Sequence, residues 1–300
     1  MPPLSRLGGL RLEAIPFDPA WVDEAHSVKY RETLLQRAER LQAYRFFYDS
    51  NGYQVEGFLI EPKDGESALP CVISNRGGSN DFGSIDEEFL WGSRTGALAE
   101  AGYLVIASQY CGAGRSEGQD DFAGPQTLND VRRLYDLLVA DPRADRSRIG
   151  MYGASRGGMM TYLMMREASW LKAAATIAGA ADLVDTSFRP QMKAHYEKMF
   201  GGSPAECETR SVLSWVHELP KNIPLLLMHG TADWRVNPLD SLRLAQRCLE
   251  EKIPCRLHWY EGADHKLSEA YEASTRALIA WFDKYVRDLA PLPDLEPHGD

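Results

Sequence analysis

The sequence lacks the long apolar run that a membrane-spanning protein needs. Its longest apolar runs, such as Ile223 to Met228, are far shorter than the roughly 18 to 20 residues of a transmembrane helix. The first ten residues also lack the apolar core of a secretory signal. We therefore predict a chain that enters no membrane and works in the cytoplasm.

Cysteine is scarce and shows no pattern. The five cysteines are odd in number and include no C-x-x-C pair, which argues against a disulfide framework and against a zinc knuckle. His195 and His217 have no partner at a metal-binding spacing, and no glycine-rich phosphate fingerprint follows an early strand. The sequence therefore predicts neither a metal nor a cofactor.

Positive charge is also in short supply. The chain has 33 Lys and Arg against 43 Asp and Glu, a net charge of −10, so its average surface repels a polyanion. We therefore expect no nucleic-acid partner. Hydrophobic residues make up 44% and charged residues 25%, which is ordinary globular usage and predicts a folded core.

The sequence does contain a regular alternation of strand and helix patterns. Two β-rich runs, Tyr44 to Tyr48 and Tyr53 to Ile60, flank Asn51-Gly52, which is typical of a tight hairpin. Apolar strands then alternate with helical stretches, which predicts a mostly parallel, eight-stranded sheet flanked by helices. The later strands are predicted at Cys71 to Ser74, Tyr103 to Ser108, Ile149 to Tyr152, Ala173 to Ala178, Ile223 to His229 and Arg256 to Tyr260, and the helices between and after them at about 86–101, 127–140, 158–167, 239–251 and 266–289.

The predicted organisation is a helical extension over residues 1–42, one α/β domain over 43–290 and a tail over 291–300. Within 43–290, residues 182–220 carry no strand pattern and are predicted to form a helical insertion that caps the sheet after its sixth strand. The extension is predicted to hold an amphipathic helix that covers the domain or pairs with a second subunit. Its apolar residues recur at three- and four-residue steps, with Glu32 as an interruption: Trp21, Ala25, Val28, Leu35, Ala38 and Leu41.

A candidate nucleophile lies where the strand ending at Tyr152 passes into the next predicted helix. Gly153, Ser155 and Gly157 form the pattern G-x-S-x-G. The glycines allow so tight a turn that the serine is held in a strained conformation with its hydroxyl exposed at a helix N-terminus. We therefore predict that Ser155 is a nucleophile.

Two downstream loops supply the base and the acid that a serine nucleophile needs. Asp233 follows the strand that begins at Ile223, and His265 follows the strand that begins at Arg256. Both loops leave the carboxyl ends of strands, so both side chains are predicted to reach one edge of the sheet. The chain order Ser155, Asp233, His265 is that of the α/β-hydrolases and not that of either protease triad.

Other polar residues near these loops receive different interpretations. Asp182 follows the strand that ends at Ala178, so it stays open as an alternative acid to Asp233. His229 is interpreted as a packing or hydrogen-bonding residue beside the acid loop. Asp264 is interpreted as a turn residue.

From about Arg45 to Leu289 the chain resembles the catalytic domain of the prolyl oligopeptidase family of α/β-hydrolases. The matching blocks are Gly153-Ala154-Ser155-Arg156-Gly157-Gly158, His229-Gly230-Thr231-Ala232-Asp233-Trp234-Arg235-Val236, Gly262-Ala263-Asp264-His265 and Phe200-Gly201-Gly202-Ser203-Pro204. The resemblance implies the α/β-hydrolase fold and hydrolysis of a peptide or ester bond through an acyl-enzyme.

The chain departs from that family in two ways. About 43 residues precede the first predicted strand, where large members carry a β-propeller, so we expect open access to the site. Arg76 stands ahead of Gly77 where the family's peptidases place Tyr or His. In such enzymes this loop completes the oxyanion hole with the N–H after the nucleophile, so we expect donors from Arg156 and from Arg76 or Gly77.

The substrate is predicted less sharply than the triad. The loop that contains Tyr110 and Arg115 resembles the family's loop after the fourth strand, and we expect both residues to contact the substrate. A short peptide or a small ester is the expected substrate, acyl transfer to an acceptor other than water stays open, and a homo-oligomer is possible. A catalytically silent module of the same fold is the alternative from a different class.

Overall fold

A computed structural model describes residues 6–22, 27–64 and 68–299 of the chain. The chain forms two compact units, which we call the N-terminal unit (Met1–Ile149) and the C-terminal unit (Gly150–Asp300). The domain boundaries predicted above stay predictions. In the described ranges no helix has the length and apolar composition to cross a membrane.

The N-terminal unit is built on a mixed sheet. The elements are β1 (Arg6–Leu7), β2 (Leu10–Arg11), β3 (Glu13–Ile15), α1 (Val28–Arg40), β4 (Leu41–Ser50), β5 (Tyr53–Pro62), β6 (Leu69–Asn75), α2 (Glu87–Gly92), α3 (Arg94–Glu100), β7 (Leu104–Ser108) and α4 (Pro125–Ala140). Five strands of the sheet are hydrogen-bonded side by side in the order β3, β4, β5, β7, β6. Each neighbouring pair is antiparallel except β6 with β7, which is parallel.

The predicted hairpin between the first two long strands is present. Ser50 pairs with Tyr53 at the end of the β4–β5 ladder. Asn51 and Gly52 have φ angles of 54° and 85°, the left-handed values that this turn requires. Strand β3, by contrast, was not predicted, because three residues are too few to show an alternating pattern.

The predicted N-terminal helix is shorter than expected and buries a different face. Helix α1 begins at Val28, with Ser27 as its N-cap, and Ala25 lies outside the described residues. Val28 and Leu35, two members of the predicted apolar face, are 62% and 49% exposed. The buried face instead contains Arg37, whose guanidinium donates to the carbonyl of Trp91 at 2.7 Å and pairs with Glu100 at 3.0 Å. The buried face thus combines the apolar Leu34 with a charged side chain, Arg37, whose head group has hydrogen-bond partners.

The C-terminal unit is built on four parallel strands. Its elements are β8 (Ala144–Ala154), α5 (Arg156–Met165), β9 (Ala173–Ile177), α6 (Gln191–Phe200), α7 (Pro204–Arg210), β10 (Leu225–Gly230), α8 (Pro238–Glu250), β11 (Cys255–Tyr260) and α9 (Tyr271–Phe282), continued by a π-helical turn at Asp283–Arg287. The strands pair in the order β8, β9, β10, β11, and the first residues of β8 belong to the N-terminal unit. Because the strands are parallel, the loops that leave their carboxyl ends emerge at one edge of this sheet.

The predicted helical insertion lies between β9 and β10. It contains α6 and α7 and two single turns of 3₁₀-helix, Val212–Ser214 and Val216–Glu218. Helix α6 ends at Gly201, whose φ of 62° is the left-handed value of a helix C-cap. The insertion after the sixth predicted strand is thereby confirmed.

Candidate active site

Ser155 occupies a strained turn between β8 and α5. Its φ of 57° and ψ of −121° lie in a region that costs about 1 to 3 kcal/mol and persists only where neighbouring contacts hold it. Those contacts are backbone hydrogen bonds: the Ser155 N–H donates to the carbonyl of Ile177 at 2.9 Å, and its carbonyl accepts from Ala180 at 3.1 Å. The loop after β9 therefore fixes the conformation of the candidate nucleophile.

Glycine is required beside Ser155 for steric reasons. A Cβ on Gly153 would lie 2.0 Å from the carbonyl oxygen of Gly157, and one on Gly158 would lie 2.5 Å from the Cα of Gly179. Both contacts are with backbone, so the neighbour cannot rotate away. Packing of this turn therefore requires glycine at Gly153, the first glycine of the G-x-S-x-G pattern, and at Gly158, which follows the pattern.

The predicted acid and base are hydrogen-bonded to each other. Asp233 lies in the loop after β10 and His265 in the loop after β11, and His265 Nδ1 is 2.7 Å from Asp233 Oδ2. The Asp233 side chain is fully buried, whereas 14% of the His265 side chain is exposed. A buried carboxylate thus orients a histidine that still reaches solvent, the arrangement that a general base needs.

The carboxylate of Asp233 accepts three further hydrogen bonds. Oδ1 accepts from the backbone N–H groups of Arg235 at 2.7 Å and Val236 at 3.1 Å. Oδ2 also lies 3.0 Å from Nε2 of His229. Burial alone would raise the pKa of Asp233, but the hydrogen bonds from His229 and His265 hold it well below its ordinary value.

The other carboxylates considered from sequence stabilise turns. Asp182 accepts from the N–H groups of Val184 at 2.7 Å and Asp185 at 3.2 Å. Asp264 accepts from the N–H groups of Lys266 at 2.9 Å and Ser268 at 2.8 Å. Their geometry favours Asp233 as the acid.

Four residues predicted from sequence lie in the N-terminal unit, and their roles in an oxyanion hole or in substrate binding stay predictions. Arg76 is 1% exposed, and its guanidinium donates to backbone carbonyls of Gln109, Gly77, Asn80 and Phe82. Tyr110 is buried under that guanidinium. Arg115 is exposed and stacks on Phe47. The Arg76 side chain therefore ties its own loop to the segment that follows β7.

The helical insertion lies against the acid loop. Arg189 donates to the carbonyl of Arg235 at 3.0 Å and its guanidinium lies 5.5 Å from the ring centre of Trp234. A cavity of about 50 Å³ is lined by residues of both the insertion and the acid loop. A second cavity, of about 330 Å³, lies within the insertion. Tyr196 of α6 lines both cavities. The capping role of residues 182–220 stays a prediction.

Sequence comparison identifies the family. Residues 91–288 match the prolyl oligopeptidase family. The chain belongs to that family. It is 27% identical over 234 residues to an uncharacterized peptidase, YtmA, of Bacillus subtilis. That match covers 76% of this chain and 88% of YtmA. It is 24% identical over 267 residues to dipeptidyl-peptidase 5 of Porphyromonas gingivalis, 81% of this chain and 38% of that protein.

Structural comparison identifies the fold. An acylaminoacyl peptidase from Pyrococcus horikoshii superposes with a TM-score of 0.72 at 18% identity, covering 89% of this chain and 45% of that chain. The predicted α/β-hydrolase fold is confirmed. The chain thus spans most of YtmA and less than half of the two larger proteins. Family membership supports a peptidase-like hydrolase.

The sequence predicted a packing or hydrogen-bonding role for His229 beside the acid loop, but it did not predict the second hydrogen-bond partner of this residue. Nδ1 of His229 lies 2.6 Å from the hydroxyl of Ser241 in α8. Ser241 is 2% exposed. The motif gave no signal for Ser241, because its side chain faces His229 only once α8 packs on β10.

Proposed function

We propose that this member of the prolyl oligopeptidase family is a serine hydrolase that cleaves peptide or ester bonds through an acyl-enzyme. Ser155 is the nucleophile, His265 the general base and Asp233 the orienting acid. The observation that carries the proposal is the 2.7 Å hydrogen bond between His265 and Asp233, made by loops at the same sheet edge as the strained Ser155. A structural turn alone has no need of a buried carboxylate that orients a partly exposed histidine.

The proposed reaction begins with the His265 tautomer. Nδ1–H donates to Asp233, so Nε2 is free of its proton and accepts the proton of the Ser155 hydroxyl as its oxygen attacks the substrate carbonyl. The tetrahedral intermediate collapses, the scissile bond breaks, and His265 gives that proton to the leaving amine or alcohol. Water then repeats the sequence on the acyl-enzyme, which releases the acid and restores Ser155.

The negative oxygen of the tetrahedral intermediate needs a donor beside Ser155. The N–H of Arg156 belongs to the residue directly after Ser155, at the start of helix α5, and this is the position that supplies an oxyanion donor in α/β-hydrolases. We assign it as the first oxyanion donor. A donor from the Arg76–Gly77 loop is the second one predicted from sequence, and removal of one such donor typically costs about 100 to 1,000-fold in rate.

The proposed substrates are short peptides and small esters. Relatives described as peptidases favour a peptide bond. Their lengths differ from that of this chain, so their substrates are not carried over. Turnover of aminoacyl anilides and p-nitrophenyl esters measured side by side decides between the two classes, and added alcohols or amines reveal acyl transfer.

The nucleophile is tested with a fluorophosphonate probe, which reacts with an activated serine. Ser155→Ala should abolish both labelling and substrate turnover. Ser147→Ala is the matched control, since Ser147 is exposed and its hydroxyl bonds to Asp145 at 2.6 Å; it should label like the wild type. Labelling retained by Ser155→Ala, or absent from the wild type, would contradict the proposal and favour a silent module.

A further inference from the structure

A second imidazole binds the carboxylate of the proposed triad. His229, at the end of β10, is 0% exposed, and its Nε2 lies 3.0 Å from the same oxygen of Asp233 that binds His265. The Ser241 hydroxyl lies 2.6 Å from the other ring nitrogen. Two buried residues, neither of which belongs to the triad, therefore form a chain of hydrogen bonds that ends on its acid.

The direction of each hydrogen bond in this chain follows from the charge on Asp233. An ionised carboxylate only accepts, so Nε2 of His229 must carry a proton. In the neutral ring Nδ1 is then an acceptor, and the Ser241 hydroxyl donates to it. Asp233 thereby selects the tautomer of His229, and the Ser241 hydroxyl supplies the donor that this tautomer needs at Nδ1.

The four donors to Asp233 divide evenly between its two oxygens. Oδ1 is held by the N–H groups of Arg235 and Val236, and Oδ2 by His229 and His265. Without His229 the carboxylate would keep its backbone anchors but lose the side-chain donor opposite His265. It could then rotate, and His265 would be the one remaining side-chain donor to the negative charge on Oδ2.

We propose that His229 and Ser241 are positioning residues, which fix the orientation of Asp233 and moderate its pull on the His265 proton. The inference rests on the proposed triad and adds to it a relay that runs from the Ser241 hydroxyl through His229 to Asp233. It assigns Ser241, on helix α8, a part in catalysis although it lies outside the loops that carry the triad.

Other charged groups surround this relay. Asp264 interacts electrostatically with His265. On α8, Asp240 adjoins Ser241 and binds Arg243 at 3.1 Å. On the other side of His229 the neighbour is the ring of Trp259, 6.4 Å away between centres. Variants at His229 and Ser241 leave all of these groups in place, so a change in a pH profile reports on the relay.

The first test compares two replacements of His229 in the full-length chain. Leu fills a similar volume without a donor, so His229→Leu should lower kcat by about 10 to 100-fold, the loss expected for one hydrogen bond to a charged group. The acidic limb of kcat/KM should move to higher pH, because Asp233 then attracts the His265 proton more strongly. His229→Gln keeps an N–H that can reach Asp233 and should recover most of both changes, with KM unchanged throughout.

The second test asks whether Ser241 acts through His229. Ser241→Ala should reduce kcat by less than His229→Leu does and move the pH profile in the same direction. In a His229→Leu background the same change should have no further effect, because coupled residues are non-additive. A full multiplicative loss in the double variant would contradict the relay.

Stability and labelling separate the possible failures. Each variant is checked by thermal unfolding and by the fraction of protein that a fluorophosphonate labels, so that kcat refers to folded sites. If Ser155→Ala keeps activity, the proposed function fails. If activity depends on Ser155 but His229→Leu keeps the wild-type kcat and pH profile, the relay is wrong. Equal losses in His229→Leu and His229→Gln with an unmoved profile would also overturn it.

Discussion

At the scale of single residues, Asp233, the proposed acid, forms a 2.7 Å hydrogen bond with Nδ1 of His265, and in the proposed mechanism this bond fixes the His265 tautomer. An amide in its place would present a donor to Nδ1 and favour the wrong tautomer. We therefore expect Asp233→Asn to lower kcat by about 10,000-fold, the loss known for this change in a serine triad. Steady-state kinetics on the best ester or anilide substrate measures the effect.

Asp182 provides the matched control for that change, since it was the alternative acid. Its carboxylate accepts from the N–H groups of Val184 and Asp185, and an Asn side chain can accept in the same turn. Asp182→Asn should therefore stay within about threefold of the wild-type kcat. A large loss in Asp182→Asn beside a small loss in Asp233→Asn would reverse the assignment.

The positions of Ser155, Asp233 and His265 after strands β8, β10 and β11 could be predicted, because each follows a strand pattern in an order that one fold uses. The neighbours that tune them could not. His229 was expected beside the acid loop, but its bond to Ser241 depends on how α8 packs. Arg76 was considered as a donor through its side chain, yet that guanidinium donates to carbonyls of its own loop and to the carbonyl of Gln109 after β7. Both outcomes follow from packing that a linear motif does not contain.

At the scale of elements, the turn between β8 and α5 depends on close approach of two backbones. A Cβ on Gly158 would lie 2.5 Å from the Cα of Gly179, and backbone on both sides prevents relief. Gly158→Ala should therefore destabilise the protein by about 1 to 3 kcal/mol, as overpacking does. It should also reduce fluorophosphonate labelling, because the loop after β9 holds Ser155 in place.

Gly201 offers a contrasting glycine at the end of α6. Its φ is 62° and a Cβ there would meet nothing within 4 Å, so Gly201→Ala should destabilise by only about 1 kcal/mol, the conformational cost of a left-handed alanine. Labelling should be unchanged. Urea unfolding measures the first effect. Equal labelling of both variants would show that the approach of Gly158 to Gly179 does not hold the nucleophile.

Elements with strong, continuous patterns were predicted closely, whereas elements fixed by individual side chains were not. The buried run of β10 was clear from sequence. Helix α1 was predicted to begin earlier and to bury Val28 and Leu35, because the periodicity gave no weight to a buried arginine such as Arg37. The last helix, predicted from residue 266, begins at Tyr271, since Asp264 first folds the chain into a turn.

At the scale of the whole molecule, the sequence predicted the class of protein better than its assembly. Net charge and the motifs led to an α/β-hydrolase without a nucleic-acid partner, and family and fold are now established. The cytoplasmic location, a homo-oligomer and the identity of the substrate stay predictions. Assembly and substrate depend on the shapes of a surface and of a pocket, which residue patterns along a chain do not encode.

Asp130 links the stability of the whole molecule to pH. It is 0% exposed in α4 and accepts a hydrogen bond from the N–H of Cys111 at 2.8 Å. Burial raises its pKa to about 6, and hydrogen bonds from Ser50, Cys111 and Gln126 oppose that rise only in part. In the unfolded chain an aspartate has a pKa of about 3.9. Between these values the folded protein holds a proton that the unfolded chain has lost.

The sign of the resulting pH dependence follows from that proton. The stabilisation is fully present below the unfolded pKa and is lost as pH rises through about 6. Asp130→Asn removes the titration, so relative to wild type it should gain about 2 kcal/mol of unfolding free energy between about pH 4 and about pH 8. Asp136→Asn, an exposed carboxylate on the same helix, is the control and should change little. If Asp130→Asn lowers the free energy of unfolding by the same amount at both pH values, the buried carboxyl does not titrate in the folded protein.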